Sequence, residues 1–459
     1  MLEDGIFVRS GDSMSPPDTV KTFGEMTLAQ LSDILGSTIV CDEINKCILF
    51  LAMLTAYSKN DQLTICLLGQ SSSGKTYLAQ EISKYFPEED VHQYASMSPT
   101  AFKYIEGVTE EDGKTYIDLE RKILLFTEMP HPQLLENLRS VLSHDEHPEY
   151  VTTDVGSGGS RKARSAIIKG YPTVIFCSAN TRMNEQEATR ALLLSPETST
   201  EKVKGATALT IMRRANPEKY DEMLKNDKSR AALKQRVEYI KSLNINSVII
   251  PDYKNVAQRF YDITKILAPR IQRDIGYVAS LIKAVAMLNA DSRMDVNRNV
   301  IANDSDIDEG FRLWEAIAET QGSGITPAVQ EFYKNYVVPA YIEKKVSGHM
   351  SIDDDGVTLN DILSYCRAVE GRIPVNLFTI QKEFLPAMEE SSLIVKGVYS
   401  RDHRVKLFKP LVLPKPRKVE PVRQIEEENP VAPNVPPQVV SPDSLDREEE
   451  EPDLSDLLI

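Results

Sequence analysis

The stretch GQSSSGKT, residues 69–76, decides how this 459-residue sequence is interpreted. Gly69 and Gly74 permit backbone conformations in which successive N–H groups converge on phosphate oxygens, ahead of a helix whose positive dipole end faces the anion. Lys75 can reach the outer phosphates of a nucleotide, and the hydroxyl of Thr76 can bind Mg²⁺. The loop therefore predicts a site for a nucleoside triphosphate.

The residues on either side of this loop have the structural character that such a site requires. LTICLL (63–68) is an apolar run typical of a buried strand, and YLAQEISKYF (77–86) has the periodicity of a helix. The alternative is a flexible loop that matches the pattern by chance, which this sequence context disfavours. We predict ATP contacts from the whole loop and the next residue, namely Gly69, Gln70, Ser71, Ser72, Ser73, Gly74, Lys75, Thr76 and Tyr77.

Apolar strand-like segments alternate with helical segments as far as residue 195. The strand segments are 63–68, 91–95, 122–127, 173–178 and 191–195, with helices expected at 98–107 and 131–143. Buried parallel strands have continuous apolar sequences, and the helices that connect them cover both faces of the sheet. The predicted fold class is therefore α/β, with a parallel sheet that carries the loop.

Composition and periodicity divide the chain into five parts. These are a disordered N-terminus (1–22), the α/β core (23–195), a mainly helical region (196–345), a small mixed unit (350–411) and a disordered Pro-rich acidic tail (412–459). From residue 411 onward twelve acidic residues stand against five basic ones, so this segment carries −7 of the net charge of −15. The acidic balance therefore does not exclude a nucleic-acid partner for the folded part.

The tail ends in DLSDLLI, where Leu454, Leu457 and Leu458 would share one face of a helix. A solvated end is one interpretation. The other is a docking peptide for a replication partner, or an acidic mimic that competes with DNA for a basic surface.

Several classes of protein are disfavoured by composition. The chain has no run of eighteen apolar residues and no basic-then-apolar leader, which predicts a cytoplasmic protein without a membrane partner. The five cysteines (Cys41, Cys47, Cys66, Cys177 and Cys366) lack the paired spacing of metal sites. Cys66 and Cys177 fall in predicted core strands, where cysteine behaves as a small hydrophobe.

A triphosphate site also needs a residue that activates water. The candidate is Glu128, which follows the four apolar residues ILLF (123–126) by two positions, as in the usual second nucleotide motif. The alternative is a structural carboxylate. The position before it, where an Asp commonly helps to hold magnesium, is Thr127, whose hydroxyl can hold a metal-bound water but adds no charge.

The strand segment TVIFCSAN ends at Asn180, whose amide can reach a γ-phosphate and the attacking water. The order of phosphate loop, strand with Glu128 and strand with terminal Asn resembles the AAA+ ATPases over roughly residues 25–290. This resemblance implies ATP and Mg²⁺ as cofactors. It also implies an arginine finger at Arg190, with Arg182 as the second candidate, and a lid arginine called sensor 2 at Arg270 or Arg273.

An arginine finger completes the site of a neighbouring subunit, so the resemblance implies a ring, most often a hexamer. Within the segment 149–170, β-prone runs flank a Gly-rich tip, which predicts a hairpin. Basic residues follow the tip, namely Arg161, Lys162, Arg164 and Lys169. In MCM-type rings such a hairpin grips DNA phosphates in the central channel. The alternative is a solvated surface loop.

The unit at 350–411 is expected to hold two helices and two short strands joined by a turn at residues 400–403. This pattern resembles a winged-helix domain. Its cations are Lys396, Arg401, Arg404, Lys406 and Lys409, although many winged helices bind proteins instead.

The chain as a whole is most similar to MCM-like helicases and primase-associated ATPases of phages and mobile genetic elements. It lacks a large N-terminal DNA-binding domain and a zinc-ligand set, which makes ATP-driven translocation better supported than processive unwinding. The resemblance implies a DNA-dependent ATPase. The alternatives are an ATP-switched replication initiator or helicase loader, and an AAA+ protein remodeller or regulator.

Overall fold

The computed structural model describes residues 23–98, 107–110, 114–143, 149–155, 161–179, 190–264, 270–350, 354–400 and 402–411. All of them belong to one compact unit, Met1–Leu413, and the second unit is Pro414–Ile459. The strands are β1 (Thr64–Leu68), β2 (Val91–Tyr94), β3 (Val108–Thr109), β4 (Thr115–Asp118), β5 (Ile123–Phe126), β6 (Glu149–Val155), β7 (Arg161–Lys169), β8 (Thr173–Ser178), β9 (Leu192–Leu194), β10 (Ser247–Ile249), β11 (Asn299–Ile301), β12 (Val357–Thr358), β13 (Ile394–Tyr399) and β14 (Asp402–Pro410).

The α-helices are Leu28–Gly36, Glu43–Leu54, Lys75–Ser83, Pro132–Leu142, Thr200–Ala215, Pro217–Asn226, Lys228–Ser242, Tyr253–Ile263, Ile271–Leu288, Ala290–Arg293, Asp304–Ser323, Pro327–Phe332, Val338–Val346, Leu359–Glu370, Leu377–Thr379 and Leu385–Glu390. Two π-helical turns, Tyr333–Val337 and Ile380–Phe384, interrupt the C-terminal helices. Short 3₁₀ turns occupy Thr55–Tyr57 and Glu88–Asp90.

A five-stranded parallel sheet forms the centre, in the order β2-β5-β8-β1-β9. Four of its strands, β1, β5, β8 and β9, are buried along their whole length, as continuous apolar runs predict. The predicted α/β fold with a parallel sheet is therefore confirmed. The helix expected at 98–107 lies outside the described residues, apart from its first and last positions.

Alternate residues of each strand enter two separate hydrophobic clusters, because successive side chains of a strand point to opposite faces. Ile65 and Leu67 of β1 join the cluster formed with the helices Leu28–Gly36, Glu43–Leu54 and Ile271–Leu288. Cys66 and Leu68 join the cluster on the other face, which includes the helix Pro132–Leu142. Cys66 and Cys177 are both buried, as predicted.

The region predicted as mainly helical also contains a short parallel pair, β10 with β11. Its helices Ile271–Leu288 and Asp304–Ser323 contribute to the same hydrophobic cluster as the central sheet. These two helices are therefore part of the core that covers the sheet.

A second sheet has the order β3-β4-β7-β6. The hairpin predicted at 149–170 is present as β6 and β7, and the 156–160 tip lies outside the described residues. Two short runs that were not predicted as strands, 108–109 and 115–118, form β3 and β4, and β4 pairs in parallel with β7. Two segments that are distant in the sequence thus share one sheet.

Residues 325–411, called the C-terminal unit below, lie within the first compact unit. They combine an antiparallel sheet, β12-β14-β13, with the helices that surround it. Strands β13 and β14 lie where two short strands were predicted. Its hydrophobic cluster starts at Ile325, so the predicted boundary near residue 350 falls inside this cluster.

None of the helices in the described ranges combines the length and apolar character needed to cross a lipid bilayer.

Candidate functional site

The loop after β1 adopts a conformation that requires unusual backbone angles. Gly69 and Gly74 have φ values of +149° and +90°, and Ser72, which is not a glycine, has φ +66°. A left-handed serine costs conformational energy and is found where the surrounding structure imposes it, often at functional sites. The two glycines meet the requirement that the sequence pattern predicted.

The helix Lys75–Ser83 begins directly after this loop and has no side-chain cap. Its first intrahelical bond runs from the N–H of Leu78 to the carbonyl oxygen of Gly74, at 2.8 Å. The N–H groups of the three preceding residues therefore have no acceptor within the helix. Such a helix start attracts an anion through its N–H groups and its dipole.

Lys75 is almost completely buried, with 7% of its surface exposed. Its ammonium group donates hydrogen bonds to the carbonyl oxygens of Gly69, at 2.7 Å, and of Gln70. Burial lowers the pKa of Lys75. The protein thus holds a desolvated cation inside the loop, supported by backbone dipoles.

Thr76 and Thr127 meet where the loop approaches the end of β5. The Thr76 hydroxyl donates to the backbone carbonyl of Thr127 at 3.4 Å, and the Thr127 hydroxyl donates to the Tyr94 carbonyl at 3.5 Å. Thr76 thus contacts Thr127 through the backbone carbonyl of Thr127 and not through its hydroxyl. Thr76 fits the expected role as a Mg²⁺ ligand, whereas the Thr127 hydroxyl is directed toward β2.

Glu128 follows β5 directly after Thr127, and its side chain is exposed. The strands are parallel, so the end of β5 and the loop after β1 lie at the same edge of the sheet. Ligands of open α/β sheets bind at this edge. No group of three or more His, Cys, Asp or Glu side chains suited to a metal occurs among the described residues. Magnesium on a nucleotide needs no such group, because phosphates and water supply most of its ligands.

A cavity of about 630 Å³ adjoins the loop. Its volume falls in the range of small-molecule sites, roughly 300–1,000 Å³. Four segments line it: residues 70–74 of the loop with Tyr77 and Leu78, the segment that holds Thr38 and Asp42, the pair Glu197 and Thr198, and one face of the helix Thr200–Ala215. The last three segments were not predicted, since none of them carries a recognisable motif and only the fold brings them to the loop.

The predicted arginines lie together, away from this cavity. Burial raises the pKa of the Tyr277 hydroxyl, and the positive charges of Arg270, Arg273 and Arg190 oppose that rise. Arg190 also donates to the hydroxyl of Ser143 at 3.4 Å, and Arg270 pairs with Asp274 at 3.2 Å. None of the three arginines lines the 630 Å³ cavity.

Two predicted residues, Asn180 and Arg182, lie outside the described residues. Ala179 is the last described residue after β8, which stands between β1 and β5.

The residues predicted to contact DNA lie on β7. Arg161, Lys162 and Arg164 belong to this strand, whose register pairs Lys162 with Asp154 of β6. The structure describes the backbone of these three basic residues but not their side chains. The Lys169 ammonium pairs with Glu110 at 2.9 Å and lies 3.9 Å from the centre of the Tyr116 ring.

The basic residues of the C-terminal unit are mostly paired with carboxylates. Lys409 pairs with Asp355 at 2.6 Å, and Lys396 pairs with Glu389 at 3.5 Å. Arg404 pairs with Asp402 at 3.2 Å. Arg401 lies outside the described residues. The Lys409 contact lowers the pKa of Asp355. A cavity of about 550 Å³ beside β13 and β14 is lined by Lys382, Lys396, Arg404 and Lys406, of which Lys382 was not among the predicted cations.

A third cavity, of about 390 Å³, lies between the phosphate loop and the C-terminal unit. Gly69, Gln70 and Ser73 form one wall, and both π-helical turns contribute to the other. The C-terminal unit therefore contacts the surroundings of the loop.

The sequence matches no protein-family model. It also matches no curated protein at a significant level.

Proposed function

We propose that this protein is a DNA-dependent ATPase of the AAA+ class that forms a ring, most simply a hexamer, and moves on DNA in the replication of a mobile element or phage. One observation carries the proposal. GQSSSGKT starts a helix at the carboxyl edge of a parallel sheet, beside a cavity of about 630 Å³ and on the same edge as Glu128.

Each residue of the proposed site has a distinct role. Lys75 would hold the outer phosphates, and the N–H groups at the start of its helix would cradle them. Mg²⁺, when bound, would neutralise phosphate charge, with the Thr76 hydroxyl as its protein ligand. Glu128 would accept a proton from the attacking water, and Asn180 would orient that water.

Arg190 would act on the nucleotide of a neighbouring subunit. Arg270 and Arg273 are the sensor 2 candidates of the same proposal. All three arginines lie around Tyr277, where the proposal places the boundary between subunits. A guanidinium group there would stabilise charge that develops during phosphoryl transfer.

The hairpin β6–β7 would contact DNA phosphates through Arg161, Lys162 and Arg164. The C-terminal unit would act as a winged-helix domain, and its two helices and strand pair β13–β14 support this assignment. Phosphate contacts need local cations on a chain of net charge −15, and the three basic residues of the hairpin would be their main source, since most cations of the C-terminal unit are paired with carboxylates.

ATPase rates with and without single-stranded DNA test this proposal. Wild type should be stimulated by DNA, and a variant with Arg161, Lys162 and Arg164 all changed to Ala should lose that stimulation. A matched control replaces three exposed lysines of other elements, Lys204, Lys219 and Lys225, by Ala. Equal stimulation of both triple variants would remove the hairpin from the proposal, and an ATPase indifferent to DNA would favour a protein remodeller.

A second candidate function is an ATP-switched initiator or helicase loader. The cavity shared by the phosphate loop and the C-terminal unit favours it, because nucleotide binding beside that contact could shift the unit. This function predicts slow turnover and little strand displacement. A strand-displacement assay on forked DNA separates the two candidates.

A further inference from the structure

The helix Thr200–Ala215 stands over the cavity beside the phosphate loop. None of its sixteen residues is buried. Its cavity face consists of residues spaced three or four apart, which share one side of a helix. These residues are Lys202, Val203, Ala206, Thr207, Leu209, Thr210, Arg213 and Arg214. The helix therefore presents a face to the cavity instead of to the protein core.

An ion pair fixes the start of this helix. Asp42 is 2% exposed, and its carboxylate accepts hydrogen bonds from the Lys202 ammonium, from the Glu197 N–H at 2.7 Å and from the Asn45 amide at 2.9 Å. Cys41 and Asp42 both have left-handed backbones, with φ values of +55° and +57°. Strained residues of this kind persist where the structure depends on them.

The same helix lies so close to the Thr38–Asp42 segment on the opposite side of the cavity that only a glycine fits at the point of contact. A Cβ atom added to Gly205 would lie 2.6 Å from Cγ1 of Val40, a separation too short for two carbon atoms. The distance between the helix and the Thr38–Asp42 segment is therefore set by a glycine.

Arg213 lies near the end of the cavity face. Its guanidinium carbon is 5.5 Å from the centre of the Tyr77 ring, and the Tyr77 hydroxyl donates to the Thr38 carbonyl at 2.9 Å. Thr38 also lines the cavity, and its buried hydroxyl has no hydrogen-bond partner among the described residues. A planar cation, an aromatic ring and apolar walls suit a flat heteroaromatic group.

We propose that the helix Thr200–Ala215 is the nucleoside-binding element of this protein and that Arg213 and Tyr77 form the surface on which the nucleobase packs. This inference rests on the proposed function, in which the adjoining loop holds the triphosphate. Arg213 is thus assigned to the base end of the nucleotide, and Lys75 to its phosphates.

Calorimetric binding of two probes, ATP and inorganic tripolyphosphate, to the full-length chain tests this assignment. Arg213→Ala should weaken ATP binding about tenfold, because it removes a cation that packs on a partly desolvated ring. Tripolyphosphate, which has no base, should bind the variant as it binds wild type. Lys204→Ala, an exposed change on the same helix outside the cavity lining, should leave both affinities unchanged.

Two results would overturn the inference. If Arg213→Ala loses affinity for ATP and for tripolyphosphate equally, Arg213 is a phosphate ligand. If Arg213→Ala binds ATP as tightly as Lys204→Ala does, Arg213 does not contact the nucleobase. A wild type that binds neither probe would instead overturn the proposed function itself. Circular dichroism of each variant excludes unfolding as the cause of a loss.

Discussion

The side-chain amide of Gln321 bonds to both backbone groups of Leu193. Its oxygen accepts from the Leu193 N–H at 3.2 Å, and its nitrogen donates to the Leu193 carbonyl at 2.7 Å. Leu193 belongs to β9, the edge strand next to β1, and Gln321 is completely buried in the helix Asp304–Ser323. One side chain thus pairs the N–H and the carbonyl of Leu193, which would otherwise be unpaired at the edge of the sheet.

Gln321→Leu should lower the free energy of unfolding by about 2 kcal/mol or more, since it leaves a buried N–H and a buried carbonyl without partners. Chemical denaturation measures this change. Glu315→Gln, an exposed substitution on the same helix, is the matched control and should change little. An unchanged midpoint for Gln321→Leu would show that the edge is satisfied in another way.

Glu128→Gln should keep ATP affinity and lower the turnover rate by about 10²–10⁴-fold, the typical contribution of a general base. The amide has the size of the carboxylate but cannot accept the proton of water. Binding and hydrolysis are measured separately, by calorimetry and by phosphate release. A variant that hydrolyses ATP at the wild-type rate would reduce Glu128 to a structural carboxylate.

Arg190→Ala should bind ATP and fail to hydrolyse it, because the proposal assigns the missing charge to the site of a neighbouring subunit. Mixing Arg190→Ala with Lys75→Ala subunits should restore part of the activity. In a mixed ring some interfaces join an intact loop to an intact Arg190. An active Arg190→Ala protein, or a mixture no more active than its components, would contradict a shared site.

The cysteines should differ in reactivity according to burial. Cys41 is partly exposed, and the other four are buried. Burial raises the pKa of Cys177 to about 11 and that of Cys47 to about 12. At pH 8 iodoacetamide should modify Cys41 first in the folded protein and all five thiols in urea, as mass spectrometry can show. Rapid native labelling of Cys177 would contradict the packing of β8.

The same pKa shifts predict a loss of stability at alkaline pH. A thiol with a raised pKa favours the folded state while it is protonated. That contribution is lost as the pH rises from about 9 through 11 and 12, where the folded protein must bury a thiolate or unfold. The thermal midpoint should therefore fall between pH 8.5 and pH 10.5, roughly the span in which unfolded thiols ionise. The decline should be smaller in Cys177→Ala.

The central sheet was predictable because its strands are buried on both faces and read as short apolar runs. β3 and β4 were not, since VTEEDGKTYID is acidic and β4 pairs with β7, a strand from a later segment of the sequence. Gln321 shows the same limit: a polar residue in a helix gives no sign that it satisfies a strand 128 positions earlier in the sequence.

The candidate site divides along similar lines. Gly69, Gly74 and Lys75 could be predicted as site residues because a local pattern carries their chemistry. Arg213 was not among the predicted residues, because its position over Tyr77 depends on how a later helix crosses the loop. Spacing within one segment can be predicted from sequence, whereas contacts between distant segments require the fold.

The stability of Lys75 variants separates loss of binding from unfolding. Burial lowers the pKa of Lys75, so the folded state disfavours its charge at neutral pH. Lys75→Met keeps the apolar stem and removes the buried charge, but it also removes the hydrogen bonds that the ammonium donates to the Gly69 and Gln70 carbonyls, so its unfolding temperature should stay close to that of wild type. A lower midpoint would indicate that the ammonium group supports the loop structurally.

Equilibrium binding of ATP to wild type and to Lys75→Ala measures whether GQSSSGKT holds a triphosphate. Wild type should bind ATP with Mg²⁺, and Lys75→Ala should bind it at least about 100-fold more weakly, because the variant can no longer form a charge-assisted hydrogen bond to phosphate in a desolvated site. Lys204→Ala should bind ATP as wild type does. Wild type without ATP affinity, or equal affinities for wild type and Lys75→Ala, would contradict the assignment of GQSSSGKT as the triphosphate-binding loop.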